Sequence, residues 1–345
     1  MVENGHQAPT WFTVGHAKAI NTLQRSQREG RISHAYLLVG PTQVGRMSLA
    51  LDLARMLNCL EQAPPCGECS QCVRVTRGLH ADVQVLAPNA EQRSNRFSIG
   101  IDAVRELQRE ASLRPFEGRC RVFIIDGAEL LTEEAANSML KTLEEPPSQV
   151  VLVLLASDGD ALLPTITSRC QTLELRPLPT ALVSKELSNR YEGSPQDIEE
   201  VARLSGGRIG WAFQAMAEPD LMERRAERLD AIETALRSGL EERFRYSGTL
   251  AARAASDRAF VRLELSLWLE LWRDALFFRE GLPELTTSQS RQRLLQLIAD
   301  AASSAEIAHA AVAVQETIDN LERNVNPRLA LDDLMLALPR PRLEV

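Results

Sequence analysis

The sequence predicts an α/β protein, a doubly wound parallel sheet in the N-terminal part followed by purely helical segments. Three features predict it. A short apolar strand enters a glycine turn and then a helix. Two more continuous apolar runs are separated by a helical stretch. Beyond about residue 180, every apolar pattern has helical spacing.

Taken in order, residues 14–30 carry Ala19, Ile20 and Leu23 at helical spacing, and residues 34–39 (His-Ala-Tyr-Leu-Leu-Val) read as a buried strand. Gly40 to Gly45 form the turn, and Leu49, Leu53 and Leu57 line one face of the next helix. The run Val122 to Ile125, ending in Asp126, and the run Val150 to Leu155, ending near Ser157, have the unbroken apolar character of central parallel strands. Between them, Glu133 to Leu143 predicts a helix with Ala136, Met139, Leu140 and Leu143 on one side, stopped by Pro146 and Pro147. Pro177 and Pro179, the Gly206–Gly207 break and Pro219 divide the remainder of the chain. The expected domains are 1–177 (α/β), 178–219 (small, helical) and 220–345 (helical). In the last of these, Leu265, Trp268, Leu269, Trp272 and Leu276 mark a bundle helix.

The chain has 345 residues, 44% of them hydrophobic but only 5% aromatic, enough for two or three packed domains rich in helix. No run approaches the roughly 20 apolar residues of a membrane span, and the first thirty residues lack a secretory pattern, so a cytoplasmic protein with no membrane partner is expected. A formal net charge of −8 argues against autonomous binding to nucleic acid.

A working phosphate loop reads G-x-x-x-x-G-K-[ST]: backbone N–H groups cradle phosphates, the lysine reaches the outer ones, and the hydroxyl holds magnesium. Here the frame of Gly40 and Gly45 is followed by Arg46 and Met47, with Ser48 one position too late. A thioether cannot take the hydroxyl's place on magnesium. After the second strand stands Asp126-Gly127, where an acid pair would organise magnesium and water, and Glu129 is expected to face elsewhere. The pocket of Gly40, Gly45, Arg46, Ser48 and Asp126 is therefore read as a degenerate nucleotide site that does not bind ATP productively. A plain strand-to-helix turn is the simpler alternative for the glycines alone.

Four of the six cysteines, Cys59, Cys66, Cys69 and Cys72, fall within fourteen residues. Four thiolates so spaced suit structural zinc. An iron–sulfur run would need another cysteine near position 76, where Thr76 and Arg77 stand. Cys120 and Cys170 read as packed thiols. The histidines (His6, His16, His34, His80, His309) are scattered, and Lys141 with Glu144 and Glu145 reads as a solvated helix end.

Several segments together carry a family resemblance: His34-Ala-Tyr, the altered glycine loop, the four cysteines, Ile124-Ile-Asp126, residues 137–147 (Asn-Ser-Met-Leu-Lys-Thr-Leu-Glu-Glu-Pro-Pro), residues 164–170 (Pro-Thr-Ile-Thr-Ser-Arg-Cys), Ser205-Gly-Gly207 and residues 324–330 (Asn-Val-Asn-Pro-Arg-Leu-Ala). The chain resembles bacterial clamp-loader subunits of the AAA+ class over nearly its whole length, and among them the delta-prime branch. The resemblance implies an AAA+ domain with a zinc module, a helical lid and a C-terminal collar. It also implies a place in a five-subunit ring with gamma/tau and delta, and, through that complex, action on the sliding clamp and primer-template DNA. In that family Ser168-Arg169-Cys170 supplies an arginine finger to a neighbour's ATPase site. The lid arginine of active subunits aligns with Trp211, though Arg208 is near. Arg46, Met47, Gly127 and Trp211 thus favour a non-hydrolysing subunit, with polymerase activity belonging to another chain. An active gamma/tau-type ATPase and a zinc module that holds DNA by itself are the competing readings.

Overall fold

The computed structural model describes residues 9–88, 98–254, 256–287, 291–323 and 325–339. His6 and Asn324 lie outside the described residues. The chain divides into two compact units, Met1–Phe213 and Gln214–Val345.

In the first unit the elements are α1 (Ala17–Arg28), β1 (Ala35–Val39), α2 (Arg46–Asn58), α3 (Ser70–Thr76), β2 (Val83–Leu86), α4 (Ile101–Ala111), β3 (Arg121–Asp126), α5 (Glu133–Glu144), β4 (Val150–Ala156), α6 (Pro164–Thr167), β5 (Gln171–Glu174), α7 (Thr180–Arg190), α8 (Pro195–Leu204) and α9 (Ile209–Ala217). The strands form one sheet in the order β2-β3-β4-β1-β5. Every pairing is parallel. This is the doubly wound parallel sheet that the alternation of strands and helices implies.

The apolar runs explain why the sheet is central. Along β1, Tyr36 and Leu38 enter one core with Leu23, Leu49 and Leu53 of α1 and α2. Ala35 and Leu37 enter the opposite core with Val104, Leu107, Met139 and Leu143 of α4 and α5. Period-two alternation thus feeds two cores, each strand being apolar on both faces. The edge strands β2 and β5, which the periodicity of the sequence does not reveal, are only partly covered. Helix α5 starts where the Thr132 side chain accepts from Ala135 N.

Helices α7 and α8, assigned from the sequence to a separate small domain, are grouped with the sheet, and the division between units falls within α9. The second unit comprises α10 (Pro219–Arg237), α11 (Leu240–Ala254), α12 (Arg258–Arg279), α13 (Gln292–Ala301), α14 (Ser304–Glu322) and α15 (Pro327–Ala337). Trp268 and Trp272 of α12 are completely covered at its centre, with Leu265 and Ile307 beside them. Arg243, 2% exposed, sits at the end of this bundle. Its guanidinium donates to the carbonyls of Ala235, Leu236, Met335, Leu338 and Pro339. No single helix among the described residues is long and apolar enough to cross a membrane.

Candidate functional site

The carboxyl edge of a parallel sheet is where α/β folds place their sites. Val39 pairs with Ala156, and Asp126 with Leu155, so the glycine loop after β1, the end of β3 and the end of β4 converge there. Gly40 has to be glycine: a Cβ would stand 2.2 Å from the Leu175 carbonyl oxygen. At Gly45 the chain enters α2, and Arg46 is drawn inward to 9% exposure. Burial pulls the Arg46 pKa down, against the attraction of Glu129 and then Asp126. Arg46 Nη1 has no hydrogen-bond partner among the described residues. Met47 packs against the α2 side of the core, and Ser48 is exposed. The pocket therefore holds a buried guanidinium within the field of two carboxylates.

Glu129 does not face away, as the sequence led us to expect. A single 3-10 turn over Ala128–Leu130 brings it back, and its Oε1 accepts from Ser157 N at 3.0 Å and Ser157 Oγ at 2.5 Å. Gly127, standing where a catalytic acid would follow Asp126, has φ 79°, a left-handed conformation that strains any side chain. Gln43 in the loop also has positive φ, 62°, and its carbonyl accepts from Gly210 N at 2.8 Å. His16 Nε2 lies 3.0 Å from the Val44 carbonyl. The glycine loop is thus fastened from outside by α9 and by the residue preceding α1. Trp211, the next residue along α9, is 7% exposed. Arg208 bonds its own turn through Nε to Ser205 O.

The second cluster is metal-binding in geometry. Helix α2 ends at Asn58, whose Oδ1 accepts from Arg119 N at 2.8 Å and Cys120 N at 3.0 Å, fixing Cys59 in place. Cys69 caps α3, Cys72 lies in its first turn, and Gly67 turns the loop between. The sulfurs of Cys59, Cys66, Cys69 and Cys72 all lie within 4.8 Å of one another. Cys66 Sγ is 3.9 Å from Cys72 Sγ, and Cys69 Sγ is 4.0 Å from Cys59 Sγ. Those are not disulfide lengths. They match the edges, about 3.8 Å, of a tetrahedron with metal–sulfur bonds of about 2.3 Å. Cys69 N–H donates to Cys66 Sγ at 3.3 Å, an arrangement that favours thiolate. Burial pushes the Cys59 thiol up, and Cys72 further, where the charges of Cys59 and Cys69 add to it. Four adjacent thiolates need a cation, and the residues fit one.

Arg169 follows α6 on the outside of the fold. Its Nη1 donates to Thr165 O at 2.9 Å and lies 3.3 Å from Ser168 Oγ, while Nη2 meets Glu144 Oε1 at 2.5 Å. Ser168 is exposed. Glu144 therefore has a partner beyond the solvated helix end expected of it. Burial pushes the Cys170 thiol up to about 11 and the Cys120 thiol up to about 12, as packed thiols require. Neither is a nucleophile at neutral pH.

Sequence reasoning missed Glu129, Ser157, Gln43 and Gly210 as parts of the pocket. The signal for Glu129 was its position one short turn beyond Gly127. The contact of Gly210 with the loop has no counterpart in local sequence.

Comparison with known proteins gives a consistent result. Residues 15–179 match the family described as DNA polymerase III, delta subunit. The DNA polymerase III subunit delta' of Bacillus subtilis is 28% identical over 322 residues, 93% of this chain and 95% of that protein. Subunit delta' of Yersinia pestis is 32% identical over 280 residues, 80% of this chain and 79% of that protein. The gamma/tau subunit of Mycobacterium tuberculosis is 36% identical over 201 residues, covering 56% of this chain but only 34% of that subunit.

Proposed function

The chain belongs to the delta-prime family of DNA polymerase III subunits, and on that premise we propose that it is a non-hydrolysing clamp-loader subunit whose Arg169 completes the ATPase site of a neighbour. The carrying observation is the state of its own pocket. A buried Arg46 feels the charge of Glu129 and Asp126, Met47 packs against the core, and Gly127 occupies a left-handed turn. Such a pocket keeps the shape of a nucleotide site without the ammonium, the magnesium hydroxyl or the water-activating acid.

Arg169, by contrast, lies on the outside with Ser168, where a guanidinium can reach charge developing on a γ-phosphate bound to the adjacent subunit. Residues 178–219 act as the lid and 220–345 as the collar that holds the subunit in a five-membered ring with gamma/tau and delta. The sliding clamp and primer-template DNA are engaged through that ring, in the cytoplasm, and the polymerase reaction belongs to another chain. Zinc held by Cys59, Cys66, Cys69 and Cys72 is structural: four protein ligands close the tetrahedron and leave no position for substrate.

The test is steady-state ATPase of the reconstituted loader with clamp and DNA. Arg169→Ala cuts turnover and Arg46→Ala leaves it unchanged if the reading is right. The reverse pattern makes this chain a motor of the gamma/tau type.

A further inference from the structure

The segment ahead of α1 is fastened to the cysteine loop and to α2 at three points. Thr10 N–H donates to the Pro65 carbonyl at 2.6 Å. Thr13 places its N–H and its hydroxyl on Asp52 Oδ2, at 2.8 and 2.6 Å. Between them the Phe12 ring lies 3.6 Å from the centre of the Arg55 guanidinium.

Arg55 is the hinge of this arrangement. It is 1% exposed, in the last turn of α2, four residues before Cys59. Its Nη2 donates to Asp52 Oδ1, but its Nη1 has no hydrogen-bond partner among the described residues. That idle nitrogen is on the cysteine side: it lies 3.8 Å from where a Cβ of Gly67 would stand, and the Arg55 carbonyl is 4.0 Å from Cys72 Sγ. Burial pulls the guanidinium pKa down, and the negative charge of Cys72, Cys66 and Cys59 is what works against it. A buried charge facing no partner is expensive, whereas one facing an anionic cluster is not. A divalent ion with four thiolates carries such a charge, about two negative units.

We propose that Arg55 is the counter-charge of the metal-bound cysteine cluster, and that through Asp52 and Phe12 it makes metal occupancy the condition for residues 10–13 to stay docked on α2. The inference rests on the zinc reading of Cys59, Cys66, Cys69 and Cys72. Asp52 alone would hold Thr13 with or without metal. Arg55 couples the two: once the metal leaves, the fixed dianion opposite Nη1 is gone, and the buried guanidinium keeps only the Asp52 carboxylate and the Phe12 ring. The N-terminal segment is then the part of the fold that yields.

The experiment uses the full-length protein. Zinc affinity is read by competition with a chromogenic chelator, and Co2+ substitution reports the thiolate shell by its charge-transfer band, in wild type, Arg55→Met and Arg55→Lys. Arg55→Met is expected to bind zinc about 10- to 100-fold more weakly and to shift the cobalt band, with Arg55→Lys recovering most of the loss. Native-like Arg55→Met protein with wild-type zinc affinity and an unshifted band overturns the proposal.

Should Arg55→Met fail to fold, hydrogen exchange on wild type decides. Metal removal is expected to expose the Thr10 and Thr13 amides while β1 and β4 stay protected, and unchanged protection at Thr13 refutes the coupling. Wild-type protein that retains no zinc refutes the metal reading itself, before any variant is made.

Discussion

Arg169 Nη2 and Glu144 Oε1 form an ion pair at 2.5 Å that joins the end of α5 to the turn after α6, with the two side chains 35% and 51% exposed. An exposed pair of this kind is worth about 1 kcal/mol or less. Arg169 is therefore parked on Glu144 rather than locked there. Glu144→Gln should change ATP turnover of the reconstituted loader by no more than about fivefold, whereas Arg169→Ala should lower it by about a thousandfold. Equal losses from both substitutions would mean that Glu144, not the neighbour's phosphate, is the partner that matters.

Asp82 gives the clearest pH prediction. It is 2% exposed, and its carboxylate collects the N–H groups of Phe116, Glu117 and Gly118 at 2.7, 2.8 and 2.7 Å, with Arg121 Nε at 3.3 Å. Burial alone would raise its pKa, but the three N–H donors and Arg121 outweigh it and hold the carboxyl below the ordinary range. A depressed folded pKa means that the stabilisation is complete above the unfolded value of about 4 and is lost as pH falls through the lower folded value. Urea midpoints of the wild type should be level near neutrality and drop below about pH 4. Asp82→Asn should cost about 2–4 kcal/mol at pH 7 and flatten that acid limb.

Thiol chemistry should divide the cysteines four and two. In zinc-loaded protein at pH 7 every thiol is expected to react slowly with a disulfide reagent. Chelation should release one zinc per chain and, by loosening the loop that buries them, make Cys59, Cys66, Cys69 and Cys72 reactive, with Cys69, whose thiol is held down to about 7, reacting first. Cys120 and Cys170, pushed up to about 12 and about 11, should stay slow until the fold is lost. Six reactive thiols after chelation would mean that the metal holds the whole first unit together.

Repairing the glycine loop should restore binding without hydrolysis. Titration of wild type with magnesium-ATP is expected to be flat. Arg46→Lys combined with Met47→Thr returns the ammonium and the magnesium hydroxyl, so magnesium-dependent binding should appear in calorimetry. Turnover should not, because Gly127 at φ 79° leaves no acid after Asp126. Turnover in the double variant would assign the water-activating role to Glu129.

What the sequence made legible was whatever has a short-range signature. β1, β3 and β4 stood out because both faces of each are buried, giving unbroken apolar runs. The four cysteines stood out by spacing. The edge strands β2 and β5 did not, since Gln84, Gln171 and Glu174 on partly covered strands look like loop residues. Asp82 and Asp52 look like solvent-facing acids in sequence, but both are buried because their partners come from distant segments. Glu129 escaped for a smaller reason: whether it faced the pocket depended on one 3-10 turn. The ends of such networks lie tens of residues apart, and no local pattern encodes them.

The five carbonyls around Arg243 have a practical consequence for anyone cutting or fusing this chain. Three of them, on Met335, Leu338 and Pro339, belong to the last described stretch, so the guanidinium acts as a pin through the carboxyl-terminal tail. A tag appended after Pro339 leaves the pin seated. A stop codon before Met335 strips away three of these five carbonyls from a permanent cation at the end of a bundle whose centre is two tryptophans. Trimming that looks cosmetic would there unfasten the helices it was meant to tidy.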